Sequence, residues 1–362
     1  MKAQRPPGSH TDPNAPRFAQ QVVAWQRQHG RHDLPWQGTR EPYRVWLSEI
    51  MLQQTQVRTV RAYYARFLAR FPDVQALAAA PLDDVLALWS GLGYYSRARN
   101  LHRCAQAVCA EHGGAFPRTA AQLQSLPGIG ASTAAAIAAF CFGERVAIFD
   151  GNVRRVLASY LGFDAVLSQD RHHRALQQQA QALLPDEAHA ARDMPAYTQG
   201  LMDLGATLCT PRAPDCARCP LQADCVARRE GRPEAHPVRT RRLQRGAQAL
   251  WLLWLEDAEG AVWLERRPVP GVWAGLHCFA LFDDEAALHG ALAQISGVRG
   301  VQALEPRVHA LTHKDLRLHP FRAWLEARRP PLPLPGGWVA ADSIQTIGTP
   351  APIRDLLLQK QV

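Results

Sequence analysis

The sequence predicts a multidomain protein in which an all-α region is followed by a smaller α+β domain. Apolar residues recur at helical spacing, between short loops, from Phe18 to about Pro237. After Gly246 the pattern changes to short, apolar, aromatic-rich segments that are typical of strands. Between these regions, His236–Gly246 contains four arginines and few apolar residues, as expected for a basic linker. The length of 362 residues suffices for two or three domains.

The composition indicates a folded soluble protein, because 47% of the residues are hydrophobic and 20% are charged. No apolar run is long enough to cross a bilayer, so no membrane association is expected. Residues 1–17 are polar and proline-rich, and they lack the apolar segment of a secretory signal. We therefore predict a disordered tail over 1–17 and a cytoplasmic protein.

The net charge of +9, with a pI of about 9.4, favours a polyanionic partner, most simply nucleic acid. Arginine supplies nearly all of the positive charge, an excess that codon usage in a GC-rich genome would also produce. The lysines are Lys2, Lys314 and Lys360. No lysine lies between Gln4 and His313, so this region has no side-chain amine for Schiff-base chemistry.

Prolines and glycines divide the N-terminal region into helices, because proline interrupts the helical hydrogen bonds and glycine favours turns. Helices are predicted from Phe18 to before Leu34-Pro35-Trp36, over Tyr43–Val57, over Thr59–Phe71, from Pro81 to before Gly91-Leu92-Gly93, and from Tyr94 onward.

A glycine-rich turn, Leu126–Gly130, connects two further predicted helices. Pro127 ends the first helix, and the run Ala134–Phe140 forms the second. Gly128 and Gly130 would allow a tight turn and a close approach by another backbone. Free N–H groups at the start of the second helix could then bind one phosphate. A plain corner between two helices is the alternative.

The pattern after the linker predicts the α+β domain. Asp257–Gly260 is a hairpin signal between the first two strands. Strands are predicted over Ala249–Glu256, Ala261–Glu265, Gly275–Phe282, Arg307–Leu311 and Leu316–Trp324, helices over Asp284–Ile295 and Pro350–Gln359, and a proline-rich loop over Arg329–Gly337.

Four of the eight cysteines form a candidate metal site. Their spacing is Cys209-x6-Cys216-x2-Cys219-x5-Cys225. Four thiolates in a compact loop bind either zinc or a four-iron cluster, and the spacing leaves the metal open. A disulfide is disfavoured in the cytoplasm. The other cysteines lie among apolar residues and resemble core thiols: Cys104, Cys109, Cys141 and Cys278.

Glu49 is a candidate general acid. It lies in Val45–Leu52, a nearly all-apolar helical segment, where desolvation would raise the pKa of its carboxyl. The alternative is a glutamate on a solvated stripe with Gln53 and Gln56.

Asp150 is a second candidate, since it precedes Gly151 and a predicted helix over Asn152–Leu161. It is either an ordinary N-cap or a carboxylate that the helix N–H groups keep ionised. In the second case it could stabilise positive charge on a sugar.

Several separate motifs together resemble the helix-hairpin-helix DNA glycosylases of the endonuclease III superfamily. These motifs are LPGIGAST, FDGNV and the cysteine loop. WLSEIMLQQTQV and GLGYYSRARNL narrow the similarity to the MutY-type adenine glycosylases. The similarity extends from about Phe18 to Cys225, with the motifs in the family's order and spacing. The C-terminal domain resembles the family's appended Nudix-like domain more loosely.

The resemblance implies an all-α helix-hairpin-helix glycosylase region with an iron–sulfur loop, followed by a C-terminal α+β Nudix-like domain. The predicted divisions are a tail (1–17), a catalytic region (18–235), a linker (236–246) and an 8-oxoguanine recognition domain (247–362). Within the catalytic region, a six-helix lobe would span about 30–145, and an iron–sulfur lobe would combine 18–29 with 146–235.

The resemblance also implies an activity, the removal of adenine mispaired with 8-oxoguanine or guanine in double-stranded DNA. Glu49 would protonate adenine, and Asp150, beside Asn152, would stabilise the oxocarbenium-like sugar. The four-cysteine loop would hold a [4Fe–4S] cluster through Cys209, Cys216, Cys219 and Cys225. Adenine would contact Trp36, Leu52 and Gln199. The DNA would contact Gln54, Tyr94, Gly128, Gly130 and Ser132, with a monovalent cation at the hairpin.

Tyr94 would enter the base stack. Arg97 and Arg99 follow it, so we expect an aromatic stacker beside phosphate-binding cations. Ordinary helix-packing aromatics at Tyr94 and Tyr95 are the alternative.

Ser132 stands where bifunctional members of the superfamily carry a lysine that cuts the strand, so we expect base excision without strand cleavage. True Nudix hydrolases carry a glutamate-rich helix that holds magnesium. The corresponding helix here, Asp284–Ile295, has only Glu285, so we expect no pyrophosphatase activity.

The segment His309–His313 matches the family's 8-oxoguanine loop, with Leu311 and Thr312 replacing its usual aromatic and serine. Thr312 and His313 are therefore the expected contacts, or else they merely cap a hairpin.

Two other functions compete. An endonuclease-III-like glycosylase–lyase for oxidised pyrimidines is disfavoured by the missing lysine and the extra domain. A non-catalytic iron–sulfur DNA-binding protein is disfavoured by the presence of Glu49 and Asp150. We expect a monomer that associates with the nucleoid.

Overall fold

The structure is a computed structural model that describes residues 15–238, 245–327 and 331–359. Most of the predicted tail and most of the predicted linker lie outside these ranges, and a helix has already begun at Ala15. Within the described ranges, no helix combines the length and the apolar character needed to span a bilayer.

The α-helices are α1 (Ala15–His29), α2 (Pro42–Leu52), α3 (Val57–Arg70), α4 (Val74–Ala79), α5 (Leu82–Trp89), α6 (Ser96–His112), α7 (Ala120–Leu123), α8 (Ala131–Ile137), α9 (Gly151–Leu161), α10 (Asp170–Ala182), α11 (Ala190–Thr207), α12 (Val226–Arg229), α13 (Glu285–Leu292) and α14 (Ala351–Gln359). A π-helical turn, Ala138–Phe142, continues α8.

The strands are β1 (Gly246–Glu256), β2 (Val262–Arg266), β3 (His277–Cys278), β4 (Ala280–Phe282), β5 (Val298–Ala303), β6 (Arg307–Ala310), β7 (Lys314–Leu325) and β8 (Gly337–Val339). They form one sheet in the order β3-β2-β1-β7-β5, with β4 paired to β1, β6 to β7 and β8 to β2. The central pair, β1 and β7, is parallel from Gly246↔Lys314 to Glu256↔Trp324.

Residue contacts divide the chain into two compact units. The first combines the chain up to Tyr64 with Ala107–Arg241, and the second combines Ala65–Gln106 with Arg242–Val362. The segment predicted from the sequence as one catalytic region, 18–235, therefore contributes residues to both units.

In the first unit, α1, α9 and α11 enclose the main core, which includes Phe18, Val22, Val153, Leu157, Tyr197 and Leu201. Two glycines of α11 permit this packing. A Cβ at Gly200 would lie 2.7 Å from Val22 Cγ1, and a Cβ at Gly205 would lie 2.6 Å from the Asn152 Cβ. Because neighbouring carbon atoms cannot approach so closely, only glycine lets α9 bring Asn152 against α11.

In the second unit, the sheet packs its core residues against α13, with Leu253, Leu255, Phe321 and Leu288 among them. The segment Ala65–Gln106 is held to the C-terminal residues of the same unit. Ser90 Oγ donates to the Thr349 carbonyl at 2.8 Å, and Arg354 donates to the Ser90 carbonyl at 2.7 Å. The C-terminal residues thus share one packed unit with part of the predicted catalytic region.

Several predicted elements are present with different ends. The helix predicted over Tyr43–Val57 stops at Leu52, because Gln54 has a left-handed φ of +57° that no helix accommodates. The strand predicted over Gly275–Phe282 is two short strands, β3 and β4. The sequence missed β5 because its residues are mostly exposed, which weakens the apolar alternation. It also missed β8, which begins at the end of the predicted proline-rich loop.

Candidate active site

A cavity of about 310 Å³ in the first unit brings together three of the predicted site residues. Glu49 of α2 and Gln199 of α11 line it, together with Trp36 from the loop before α2. Leu52, the last residue of α2, is not among the lining residues. The lining also carries basic side chains, namely Arg27, His32, Arg40 and Arg192. Residues that are distant in sequence thus share one basic, concave site.

Local sequence chemistry fixes the helix that carries Glu49. Glu41 caps α2 by accepting from the N–H groups of Tyr43 and Arg44, both at 2.9 Å. Pro42 occupies the first turn, where its missing N–H costs no hydrogen bond. The apolar residues that precede Glu49 are buried, which anchors the helix and holds Glu49 at the cavity wall.

The environment of Glu49 favours its protonated form. The side chain is partly buried, and its pKa is raised to about 8, chiefly by desolvation and further by the negative charge of Asp150. A carboxyl with this pKa carries its proton at neutral pH. This is the surrounding of a desolvated acid rather than of a solvated stripe with Gln53 and Gln56.

Asp150 is the N-cap of α9 and also acts on Glu49. Its Oδ1 accepts from the Val153 N–H at 2.7 Å, as the N-cap interpretation predicted. Burial raises the pKa of Asp150, while the N–H groups of Val153 and Asn152 and the charges of Arg154 and Arg155 oppose that shift. The N-cap interpretation of Asp150 is therefore confirmed, whereas its role as an ionised carboxylate near a sugar stays a prediction.

Arg155 connects the Asn152 side chain to the cysteine loop, a role that no sequence motif indicates. Its guanidinium donates to Asn152 Oδ1 at 2.8 Å, to the Gly205 carbonyl at 2.5 Å and to the Cys209 carbonyl at 2.6 Å. An arginine one turn after a predicted N-cap reads as an ordinary surface cation, so only the folded arrangement reveals these contacts.

The four clustered cysteines line one cavity that begins where α11 ends. Burial raises the pKa values of the Cys209, Cys216 and Cys219 thiols, and Cys225 contributes to each of these shifts. Across the described ranges, no three His, Cys, Asp or Glu side chains converge as ligands of a single ion would. Four thiols around a shared cavity nevertheless form a donor set suited to a cluster, in which each sulfur binds a different iron.

The remaining cysteines follow the core prediction in part. Cys104 and Cys278 are buried, whereas Cys109 and Cys141 are partly exposed.

The glycine-rich turn is present, but its two glycines differ. Gly128 has a φ of +77°, a conformation that favours glycine. Gly130 is the N-cap of α8 with an ordinary φ of −83°, and a Cβ there would meet nothing within 4 Å. The predicted conformational need for glycine is thus wrong at Gly130. Ser132 lies on the first turn of α8 and is partly buried.

Two of the predicted DNA-contacting residues have exposed side chains on left-handed backbone. Gln54 has a φ of +57° in the turn that follows α2 in the first unit. Tyr94, in the second unit, has a φ of +48° and a side chain that is 42% exposed. A non-glycine residue held in this conformation is uncommon and indicates a constrained position.

The prediction of a phosphate-binding cation is wrong for Arg97, which is buried, and stays a prediction for Arg99, which is partly exposed. Arg97 is buried beneath the Tyr94 ring and donates to the carbonyls of Leu92 and Gly93 at 3.3 and 3.2 Å. Arg99 donates to the Ala274 carbonyl at 2.6 Å. Both guanidiniums hold backbone within the second unit, and burial lowers the pKa of Arg97 to about 10.

Thr312 and His313 lie exposed in the turn between β6 and β7. The Leu311 N–H donates to the Lys314 carbonyl at 2.8 Å and closes this turn. The hydroxyls of Thr312 and Tyr94 lie 2.5 Å apart. Within the second unit, one hydrogen bond therefore joins Tyr94, which is predicted to enter the base stack, to Thr312 of the predicted 8-oxoguanine loop.

Comparison with known proteins gives two family matches. A model described as "HhH-GPD superfamily base excision DNA repair protein" matches residues 47–262, and a model described as "NUDIX domain" matches residues 251–359.

Among curated proteins, an adenine DNA glycosylase of Buchnera aphidicola subsp. Acyrthosiphon pisum is 34% identical over 305 residues, covering 84% of this chain and 85% of that protein. The adenine DNA glycosylase of Homo sapiens is 43% identical over 220 residues, which are 58% of this chain and 39% of that protein. Among solved structures, a thermostable thymine-DNA glycosylase is 28% identical with a TM-score of 0.54, covering 60% of this chain and 97% of that chain.

Proposed function

We infer the function from the premise that the chain belongs to the adenine DNA glycosylases of the HhH-GPD superfamily. It is accordingly a DNA glycosylase of base excision repair, with a helical glycosylase region and a Nudix domain. Beyond this, we propose that it removes adenine mispaired with 8-oxoguanine or guanine from double-stranded DNA and leaves an abasic site. The observation that carries the proposal is the position of Glu49 at the wall of a cavity shared with Trp36 and Gln199, where desolvation raises its pKa to about 8.

In the proposed reaction, Glu49 acts as the general acid. The target adenine leaves the base stack and enters the cavity, because its reacting atoms are inaccessible within the duplex. Glu49 donates its proton to adenine N7, so that the bond from N9 to the sugar C1′ breaks with its electron pair going to the base. A pKa of about 8 keeps this proton available at neutral pH.

Asp150 then stabilises the oxocarbenium-like sugar that bond cleavage creates. Its place at the positive end of α9 and its electrostatic effect on Glu49 support a carboxylate that faces the developing cation. Water adds to C1′, and its proton leaves to solvent or to the Glu49 carboxylate. Asn152, fixed by Arg155, is the third proposed catalytic residue. Two carboxyl groups thus divide acid and anion roles, as in glycosidases.

The DNA contacts are proposed on the same basis. The hairpin of Gly128, Gly130 and Ser132 would grip a phosphate together with a monovalent cation, and the open space at Gly130 supports an approach by the DNA backbone. Gln54 and Tyr94 are proposed to enter the base stack. Leu52 is proposed to contact adenine once the base is bound, together with Trp36 and Gln199.

The cysteine loop is proposed to hold a [4Fe–4S] cluster through Cys209, Cys216, Cys219 and Cys225. When bound, this cluster would supply a rigid cross-link for a loop that contains Arg212 and Arg218, and none of the catalytic steps above involves it. Purified protein should contain about four irons per chain, and Cys216→Ser should lose iron and weaken DNA binding. Stoichiometric zinc in anaerobically prepared native protein would contradict the assignment.

The turn that contains Thr312 and His313 is proposed to recognise the base opposite adenine. We propose residues 247–362 as the 8-oxoguanine recognition domain and 18–235 as the catalytic region, with its six-helix lobe at about 30–145. The protein is proposed to act as a cytoplasmic monomer at the nucleoid, where its double-stranded substrate lies.

One assay tests the proposed function as a whole. A duplex with a single adenine opposite 8-oxoguanine is incubated with the protein and analysed with and without alkali. We expect strand cleavage only after alkali, because Ser132 provides no amine to attack the sugar. Cleavage without alkali would support the glycosylase–lyase alternative, and no excision at all would support a non-catalytic DNA-binding protein.

A further inference from the structure

Gln199, which the proposed function places against adenine, is hydrogen-bonded to a buried carboxylate. Its Nε2 donates to Asp203 Oδ1 at 2.9 Å, one turn further along α11. Asp203 is fully buried, with an exposed fraction of 0%. No motif in the sequence marks Asp203, which reads there as one polar position of an amphipathic helix.

Asp203 is surrounded by donors, which fixes its chemical role. Arg31 contributes its backbone N–H to Oδ2 at 3.0 Å, and its Nε and a terminal nitrogen each lie 2.7 Å from Oδ1. The Arg31 side chain is partly buried, and its backbone and side-chain nitrogens reach both carboxylate oxygens. In each of these contacts Asp203 is the hydrogen-bond acceptor.

An acceptor at this place determines which end of the Gln199 amide faces the ligand. The amide has a donor nitrogen and an acceptor oxygen on one planar carbon, and either end could face the cavity if the side chain were free to turn. Asp203 binds the nitrogen, so a turned amide would place its oxygen against a carboxylate. The oxygen consequently faces away from Asp203, while the residue itself lines the cavity with Glu49.

We propose that Asp203, held by Arg31, is a positioning residue that presents the Gln199 oxygen to the base and makes the site select a 6-amino purine over a 6-oxo purine. Adenine has a donor at the 6-amino group, which complements an amide oxygen. Hypoxanthine has an acceptor oxygen at the same position and would meet the Gln199 oxygen with like polarity. The proposal rests on the proposed function of the cavity and goes beyond it by assigning selectivity to a residue that does not touch the base.

The same carboxylate also anchors the loop that leads to Trp36. Arg31 lies two residues after α1, and its backbone N–H is one of the groups that Asp203 accepts. Asp203 thus contacts both the cavity-lining Gln199 and the segment that leads to Trp36. A substitution there could lower all activity for structural reasons, so the test must separate selectivity from overall rate.

The test uses the full-length protein as purified and three duplexes that carry adenine, hypoxanthine or unsubstituted purine opposite 8-oxoguanine. Single-turnover excision rates are measured for the wild type and Asp203→Asn. Asparagine keeps the shape, but it can present an NH2 group to Gln199 and allow the amide to turn. We expect the adenine-to-hypoxanthine rate ratio to fall about tenfold or more, the effect of one reversed hydrogen bond. A purely structural lesion would slow all three substrates by one common factor and would overturn the proposal.

Two further variants keep the test decisive. Arg31→Lys preserves a cation beside Asp203 and the Asp203–Gln199 hydrogen bond. It should therefore leave the adenine-to-hypoxanthine rate ratio unchanged, and any loss of rate should be the same for all three substrates. Gln199→Leu removes the amide and should by itself lower the adenine-to-hypoxanthine rate ratio. This variant tests the selectivity proposal if Asp203→Asn does not fold. In the double variant Asp203→Asn with Gln199→Leu, no further change in the ratio is expected.

The outcomes separate this proposal from the proposed function. If the wild type excises adenine and Gln199→Leu keeps the normal ratio, the selectivity proposal fails while the glycosylase assignment stands. If the wild type excises no adenine from any mismatch, both fail together.

Discussion

Glu49 and Thr312 stand in opposite surroundings. Glu49 is partly buried at a cavity wall, and its pKa is raised to about 8, whereas Thr312 is exposed at the tip of a turn in the other unit. Proton donation to a base requires a site from which water has been removed, because desolvation keeps the acid protonated. Recognition of a base on another molecule requires polar groups that the molecule can reach. Changes in the cavity should therefore alter the rate by orders of magnitude, and changes in the turn should alter selectivity by a small factor.

The largest effect is expected from Glu49→Gln. The amide fills the same space but cannot donate the proton, so adenine release should fall by at least about a thousandfold, within the range for a lost general acid. Single-turnover excision from an adenine·8-oxoguanine duplex measures the loss. Affinity for the same duplex should stay within about threefold, which serves as the control. Near-normal excision by this variant would remove Glu49 from the role of acid.

Asp150→Asn should have the next largest effect, a loss of roughly 10²–10³-fold in excision, because a neutral amide cannot offset a developing cation. Asparagine caps a helix about as well as aspartate, so the N-cap of α9 should be kept and the stability should change little. Unchanged thermal melting of the variant therefore serves as the control. An Asp150→Asn protein with full activity would leave the N-cap as the sole role of Asp150.

The pH dependence follows from the raised pKa of Glu49. Its protonated form is the active one, so excision should be level up to a pH of about 8 and then fall about tenfold per pH unit. The stability of the folded protein should also fall with rising pH. The folded state holds the proton up to about pH 8, whereas an unfolded glutamate loses it near 4.5, so stability falls as the pH rises between these values.

Thermal melting tests this linkage without relying on activity. As the pH rises from 5 to 8, the melting temperature of the wild type should fall relative to that of Glu49→Gln, because the glutamine carries no titrating proton. A melting difference that stays constant over this range would contradict the raised pKa.

The smallest effect is expected at the exposed turn. The double variant Thr312→Ala with His313→Ala should reduce the preference for adenine·8-oxoguanine over adenine·guanine by about fivefold to tenfold, the value of one polar contact. The physical reason is that 8-oxoguanine has an N7–H donor where guanine has an acceptor. Thr312→Ser keeps the hydroxyl and is the control. The test is the ratio of binding affinities for the two mismatches, measured with a non-cleavable adenosine analogue at fixed salt. An unchanged ratio in the double variant would place 8-oxoguanine recognition elsewhere.

Removal of residues 247–362 would not test the role of the turn in 8-oxoguanine recognition by itself. Leu86 and Ser90 of the second unit pack against Gly348 and Thr349, and a Cβ at Gly348 would lie 2.7 Å from the Leu86 Cβ. Truncation would therefore expose the packing surface of Ala65–Gln106 as well as removing the turn. The side-chain variants avoid this problem.

Local patterns predicted the elements that depend on nearby residues. The helix over Ala351–Gln359 and the glycine turn with φ of +77° at Gly128 follow from propensity and turn chemistry within a few residues. The end of α2 at Leu52 was not predictable in this way, because nothing in LQQTQV breaks a helix. The left-handed Gln54 in that stretch is imposed by the surrounding fold.

The sequence by itself determined the fold class, the family and the identity of the chemically capable side chains, because these depend on residue types at fixed spacing. Only the tertiary structure decided how those side chains are used. It assigned Arg97 to holding backbone rather than to an open phosphate site, since burial removes its guanidinium from solvent. It also placed Asp203, 172 residues from Arg31 along the chain, in contact with that arginine and with Gln199. The pKa of a carboxyl and the orientation of an amide depend on neighbours brought together from distant parts of the chain, and local sequence carries no signal for them.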